Sequence, residues 1–193
     1  MKVHRQFSKE IPMTASRSMR AGTPTRLSVM AANFDDLREA NQEFVEQFVP
    51  EGLSGRAVRG LAIVTCMDSR IAPLAIVGMK PGDAKILRNA GARVTEDVLR
   101  TLVLATHLLG VTRVLVMPHT DCRMASGSEP EIHKAIFDAS GVDTRSMEIR
   151  TVNDQRAALE LDLVRLQTYP LLPKELQVAG GFYDVNTGKL DLI

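Results

Sequence analysis

The sequence predicts an α/β fold: a single domain around a mainly parallel β-sheet flanked by helices, with an N-terminal helical arm. Two observations carry the sheet. Leu61 to Thr65 and Arg113 to Met117 are short, continuous apolar runs with β-branched members, the pattern of strands buried on both faces. Between them, Val94, Val98, Leu102, Ala105 and Leu109 recur at helical spacing. Strand, helix and strand at this separation form a βαβ unit, whose strands run parallel.

The elements follow in order. Asn33 is a good N-cap, with Asp35 and Asp36 in the first turn, where acidic side chains complement the helix dipole. Phe34, Leu37, Phe44, Val45 and Phe48 give that helix an apolar face over about four turns, ending near Pro50. Residues 50–60 are Gly-rich and polar and form a loop before the first strand. After the turn Pro81-Gly82-Asp83, Ala84 to Leu87 is a short second strand. Thr95 caps the central helix and Gly110 terminates it. A helix from about Thr151 to Thr168 stops before Pro170. Gln177 to Tyr183 is a later strand. Asn186-Thr187-Gly188 turns the chain into a last short strand, Lys189 to Leu192.

With 193 residues, 45% of them hydrophobic, the chain is long enough for one well-cored domain. The net charge of +1 argues against a nucleic-acid or membrane partner. No apolar run reaches the roughly 18 residues of a membrane span. The balance conceals an asymmetry. Residues 1–30 carry Lys2, Arg5, Lys9, Arg17, Arg20 and Arg26 against Glu10 alone, so the remainder is net acidic. This stretch reads as a disordered basic tail ahead of an organised domain at 31–193, with an Arg-rich, acid-poor transit peptide and a true start at Met30 as the alternatives. The only two cysteines, Cys66 and Cys122, are too few for a secreted disulfide framework and fit a reducing cytoplasm.

Both cysteines fall where a parallel sheet does its chemistry. Cys66 directly follows the first buried strand, and His119 and Cys122 directly follow the Arg113 to Met117 strand. The carboxyl ends of parallel strands beside a topological switch point form the binding crevice of such folds. Two thiolates and one imidazole suit zinc, and three protein ligands leave a fourth tetrahedral position open for chemistry. Singly, a cysteine at a strand end is more often a small buried hydrophobe than a ligand. The whole cysteine complement at two strand ends, one beside a histidine, makes a metal the stronger reading. Asp68 and Arg70 share the first segment, Cys66-Met67-Asp68-Ser69-Arg70. An Arg holding the carboxylate through two bonds would keep Asp68 out of the open metal position.

At these residues the chain resembles the β-carbonic anhydrases, closest to their short bacterial and archaeal branch. The matching segments are CMDSR at 66–70, PGDAKILRNAGA at 81–92, HTDC at 119–122 and the ending GFYDVNTGKL. The resemblance runs from about residue 33 to the C-terminus. It implies one zinc per chain on Cys66, His119 and Cys122, and a catalytic Asp–Arg pair at Asp68 and Arg70. The implied activity is reversible hydration of carbon dioxide to bicarbonate and a proton by a zinc-bound hydroxide. The family also implies a homodimer or higher homo-oligomer in which the N-terminal helix packs on a partner subunit. One departure stands out. Arg123 and Met124 follow the second cysteine where the family usually has Gly, and Arg123 to Pro130 reads as a mobile loop.

Other readings remain open on the sequence. Carbonyl sulfide and carbon disulfide are linear molecules open to the same attack, so a hydrolase of either fits the same motifs. A non-catalytic zinc protein recruiting a partner through its basic arm is a second class. A thiol phosphatase is disfavoured, since its signature needs five residues between Cys and Arg and three stand between Cys66 and Arg70. His107 and His133 are proton-shuttle candidates by residue type alone.

Overall fold

The structure, a computed structural model, describes residues 34–193. The expected basic tail and the proposed Asn33 cap lie outside these residues. The described residues fall into two units, 34–51 and Gly52–Ile193. In the first, the described part is helix α1, Asp35–Gln47, which stops short of the expected end near Pro50. Phe34 occupies its N-cap position without a side-chain hydrogen bond, and no residue of the helix is buried.

The second unit holds the sheet. Its strands are Leu61–Cys66 (β1), Ala84–Asn89 (β2), Arg113–Met117 (β3), Gln177–Tyr183 (β4) and Leu190–Leu192 (β5). They lie in the order β2-β1-β3-β4-β5. The first four run parallel, and β5 returns antiparallel to β4. β2 extends two residues beyond the expected Leu87 because Thr65 and Cys66 of β1 supply partners for Arg88 and Asn89. The chain leaves β1 to one side for β2 and crosses back to its other side for β3. The switch point therefore lies between β1 and β3, and their carboxyl ends open a crevice there.

Every residue of β1 is buried, as its unbroken apolar run requires. Alternate side chains enter different clusters. Ala62 and Val64 join Val114 and Val116 beneath helices α3 (Glu96–Leu108) and α5 (Gln155–Thr168), against Val98, Leu99, Leu102, Leu159 and Leu166. Leu61, Ile63, Leu115 and Met117 face the other way, with Ile71, Cys66, Cys122 and Met124. Each fully buried leucine or valine contributes about 1.5–3 kcal/mol, so these clusters fix strand order around the crevice.

The caps behave as expected at α3. Thr95 accepts from the Val98 N–H at 3.4 Å, and Val111 bonds back to Ala105 across Gly110. α5 begins four residues later than expected, because the Asp154 carboxylate caps it through the N–H groups of Arg156 and Ala157. Two helices escaped the periodicity: α2 (Pro73–Ile76) and α4 (Glu129–Ser140). α4 corrects part of the loop expectation for Arg123 to Pro130, while residues 126–128 stay outside any helix. Arg123–Ala125 is a 3-10 turn, and Ser128 and Glu131 close a reciprocal capping box at the start of α4. Among the described residues no helix is long and apolar enough to cross a membrane.

Candidate metal centre

β1 ends on Cys66, whose side chain is buried against the opposite loop. Its Sγ accepts the Gly91 N–H at 3.4 Å, which fixes where the sulfur sits in the crevice. Glycine is required there. Gly91 has φ 81, and a Cβ on it would stand 3.2 Å from Met124 Cβ.

β3 delivers His119, which is fully buried. Its Nδ1 lies 2.8 Å from the Thr120 carbonyl oxygen. A carbonyl can only accept, so Nδ1 carries the proton and Nε2 presents a lone pair. That Nε2 is buried with no hydrogen-bond partner, alone in this among the described side-chain atoms. Buried polar atoms are almost always paired, so an unpaired lone pair calls for a cation. Cys122 follows three residues on, also buried, and burial pushes its thiol up to about 11.

Cys66, His119 and Cys122 offer three ligand atoms within 4.8 Å of one another. Two thiolates about 2.3 Å from a tetrahedral zinc stand roughly 3.8 Å apart. The two sulfurs here are 3.9 Å apart, and the cysteines are free. Donor chemistry, spacing and the orphaned nitrogen all fit a soft divalent metal.

Asp68 lies beside this group, with Oδ2 3.9 Å from His119 Nε2. Arg70 grips it at 3.0 Å through Nε and 2.8 Å through Nη2, and by its backbone N–H at 2.9 Å. The Arg70 guanidinium bonds, aided by its backbone N–H, hold the Asp68 carboxyl well below the usual carboxylate range. All five residues singled out in the sequence therefore meet at one crevice.

The residues that frame them were missed. Arg88 donates to the carbonyls of Cys66, Asp68 and Ile71 at 2.9, 2.5 and 3.2 Å, pinning the loop that carries Cys66 and Asp68. Gln155 donates to the His119 carbonyl at 3.0 Å from the start of α5. Nothing in spacing marks these, because their partners are backbone atoms distant in sequence. Of the residues departing from the family pattern, Arg123 is exposed and Met124 is buried against Gly91. His107 Nε2 donates to the Leu171 carbonyl, and His133 Nδ1 pairs with the Thr144 hydroxyl.

Residues 61–190 match the carbonic anhydrase family. The chain belongs to the β-carbonic anhydrase family. It is 37% identical over 134 residues to β-carbonic anhydrase 1 of Mycobacterium tuberculosis, covering 68% of this chain and 80% of that one. It is also 30% identical over 156 residues to a carbon disulfide hydrolase from an Acidianus species, covering 68% and 76%. The crystal structure of carbonic anhydrase from Streptococcus mutans superposes with a TM-score of 0.77 at 35% identity, covering 83% of this chain and 96% of that one. The chain is thus an enzyme of the carbonic anhydrase type, built on the fold those proteins share.

Proposed function

We propose that this enzyme catalyses the reversible hydration of carbon dioxide to bicarbonate and a proton, with one zinc per chain held by Cys66, His119 and Cys122. The observation that carries the reading is the buried, unpartnered His119 Nε2 within 4.8 Å of two free cysteine sulfurs. Zinc held by three protein ligands supplies a Lewis acid that makes water acidic enough to ionise near neutral pH.

The remaining steps belong to the chain. Asp68, kept ionised by Arg70, can only accept hydrogen bonds, so it orients the attacking oxygen through that oxygen's proton. Arg70 also draws the carboxylate away from the open metal position. The Gly91 N–H orients the Cys66 sulfur and the Thr120 carbonyl sets the tautomer of His119, so both can face a metal.

The test is stopped-flow carbon dioxide hydration on protein of measured zinc content, with carbonyl sulfide and carbon disulfide run alongside. Turnover should follow zinc content and be fastest with carbon dioxide. The carbon disulfide hydrolase among the relatives supports the competing reading, and faster turnover of either sulfur compound would replace the first. Zinc without turnover of any of the three would leave a binding protein.

The reading extends to assembly and location. Phe34, Leu37, Phe44, Val45 and Phe48 are exposed on one chain, an apolar surface suited to a second copy in a homodimer or larger species. Light scattering on the intact chain reads this directly, and a monomer at micromolar concentration would defeat it. The two free cysteines support a reducing cytoplasm as the working location, and the reading takes residues 1–30 as a basic appendage to a zinc domain at 31–193. A fluorescent fusion that concentrated in any other compartment would refute the location.

A further inference from the structure

Arg70 has two carboxylate partners, and the mechanism above uses one. On one edge it holds Asp68. On the other, Nη1 donates to Asp121 Oδ2 at 2.8 Å and Nη2 to the Asp121 carbonyl at 3.2 Å. Asp121 lies between His119 and Cys122, while Arg70 shares a loop with Cys66. One guanidinium therefore ties together the two loops that carry the three candidate ligands. Both sets of bonds coexist, so the carboxylates cooperate on Arg70 and do not compete for it.

The backbone at Asp121 is set for this. Its φ is 55, a left-handed conformation that non-glycine residues adopt at some strain. So placed, its carbonyl and its carboxylate both accept from the same arginine. The Asp121 side chain is 75% exposed, and an ion pair so solvated contributes little to stability. What it does contribute is direction. With one partner an arginine keeps rotational freedom about its long stem; a second partner on the opposite edge removes it.

We infer that Asp121 is a positioning residue of this centre: it fixes the outer edge of Arg70, so that Arg70 stays on Asp68 and Asp68 stays out of the metal's open position. The inference rests on the zinc reading and adds to it the residue that keeps the site accessible.

The experiment uses the full chain with cobalt in place of zinc, titrated with azide and followed by visible absorption. Azide needs the open position, so its affinity reads how far Asp68 blocks it. Asp121→Asn is the chosen variant, because asparagine tolerates the left-handed backbone while losing the charge. It should bind azide about tenfold more weakly than wild type, the effect expected of an outer residue that orients a metal site. Adding Asp68→Asn should restore azide affinity to that of Asp68→Asn alone, since the blocking group is then gone. The zinc forms of all variants should melt close to wild type.

Unchanged azide affinity in Asp121→Asn would overturn the inference. So would a loss that persists in the double variant, because Asp68 would then not be the intruder. A large fall in melting temperature would make Asp121 a structural residue and overturn it too. Failure of the wild-type chain to take up cobalt or zinc would sink the metal reading itself, and would be seen before any azide is added.

Discussion

Two segments of this molecule have nearly the same sequence and the same local geometry, Asp68-Ser69-Arg70 and Asp143-Thr144-Arg145. In each, the arginine N–H bonds back to the aspartate Oδ1, at 2.9 and 3.1 Å. In each, Nε takes Oδ1 and Nη2 takes Oδ2, at 3.0 and 2.8 Å in one and 2.9 and 2.7 Å in the other. Both carboxyls are held well below the usual range, chiefly by their arginine. A histidine lies near each. Asp-x-Arg is thus a self-contained turn that needs no active site to form.

The surroundings separate them. Asp68 is 19% exposed and stands by an orphaned imidazole nitrogen and two buried sulfurs, and its arginine is braced by Asp121. Asp143 is 50% exposed, Arg145 is 80% exposed, and the neighbouring His133 already spends its Nδ1 on Thr144. No cysteine accompanies it. Perturbed ionisation therefore marks the local turn, and only the metal-binding atoms beside it mark a site.

The sharpest way to break the comparison is to remove what one side alone possesses. Cys66→Ser and Cys122→Ser should each lose most of the zinc and with it the turnover, as elemental analysis and stopped-flow assay will read. Full zinc retention in both variants would abolish the distinction. Next in size is the matched pair Arg70→Ala and Arg145→Ala. Loss of Arg70 should lower carbon dioxide hydration on the order of a hundredfold at near-normal zinc content, the usual effect of removing one well-placed polar group. Loss of Arg145 should leave turnover unchanged. Equal rates in the two variants would reduce Asp68 and Arg70 to a surface pair like the other.

How far the sequence led follows from the same distinction. β1 and β3 were legible because strands buried on both faces leave unbroken apolar runs, and α3 because its face, cap and terminal glycine agree. Cys66, His119 and Cys122 were legible because soft ligands are few in this chain and fall at strand ends. Helix α4 was not, although Ser128-x-x-Glu131 announces its start. Its apolar positions at helical spacing, Ile132, Ala135 and Ile136, cover little more than one turn, too short a run to read as a stripe. Arg88 and Asp121 were hidden for a different reason. One acts on main-chain carbonyls and the other across 51 residues, and neither relation has a period or a spacing.

The smallest expected effect lies on the inactive side of the comparison, in the acid stability of the Asp143 turn. Its carboxyl is lowered in the folded chain, first by hydrogen bonds from the Arg145 guanidinium and then by the Arg145 backbone N–H. Below the ordinary value of 3.8 the unfolded chain therefore binds a proton that the folded chain resists. The pair's contribution is fully present above that value and is lost as pH falls through the lower, folded one. Asp143→Asn should accordingly melt slightly below wild type at neutral pH, with the gap closing progressively as the buffer is taken below about pH 4. The gap should also narrow in high salt, because both partners are solvated. Thermal melts of wild type and variant across the acid range measure it. A gap that widened on acidification would reverse the sign of the linkage, and one that stayed constant would mean that the turn is held by its backbone and not by its charge.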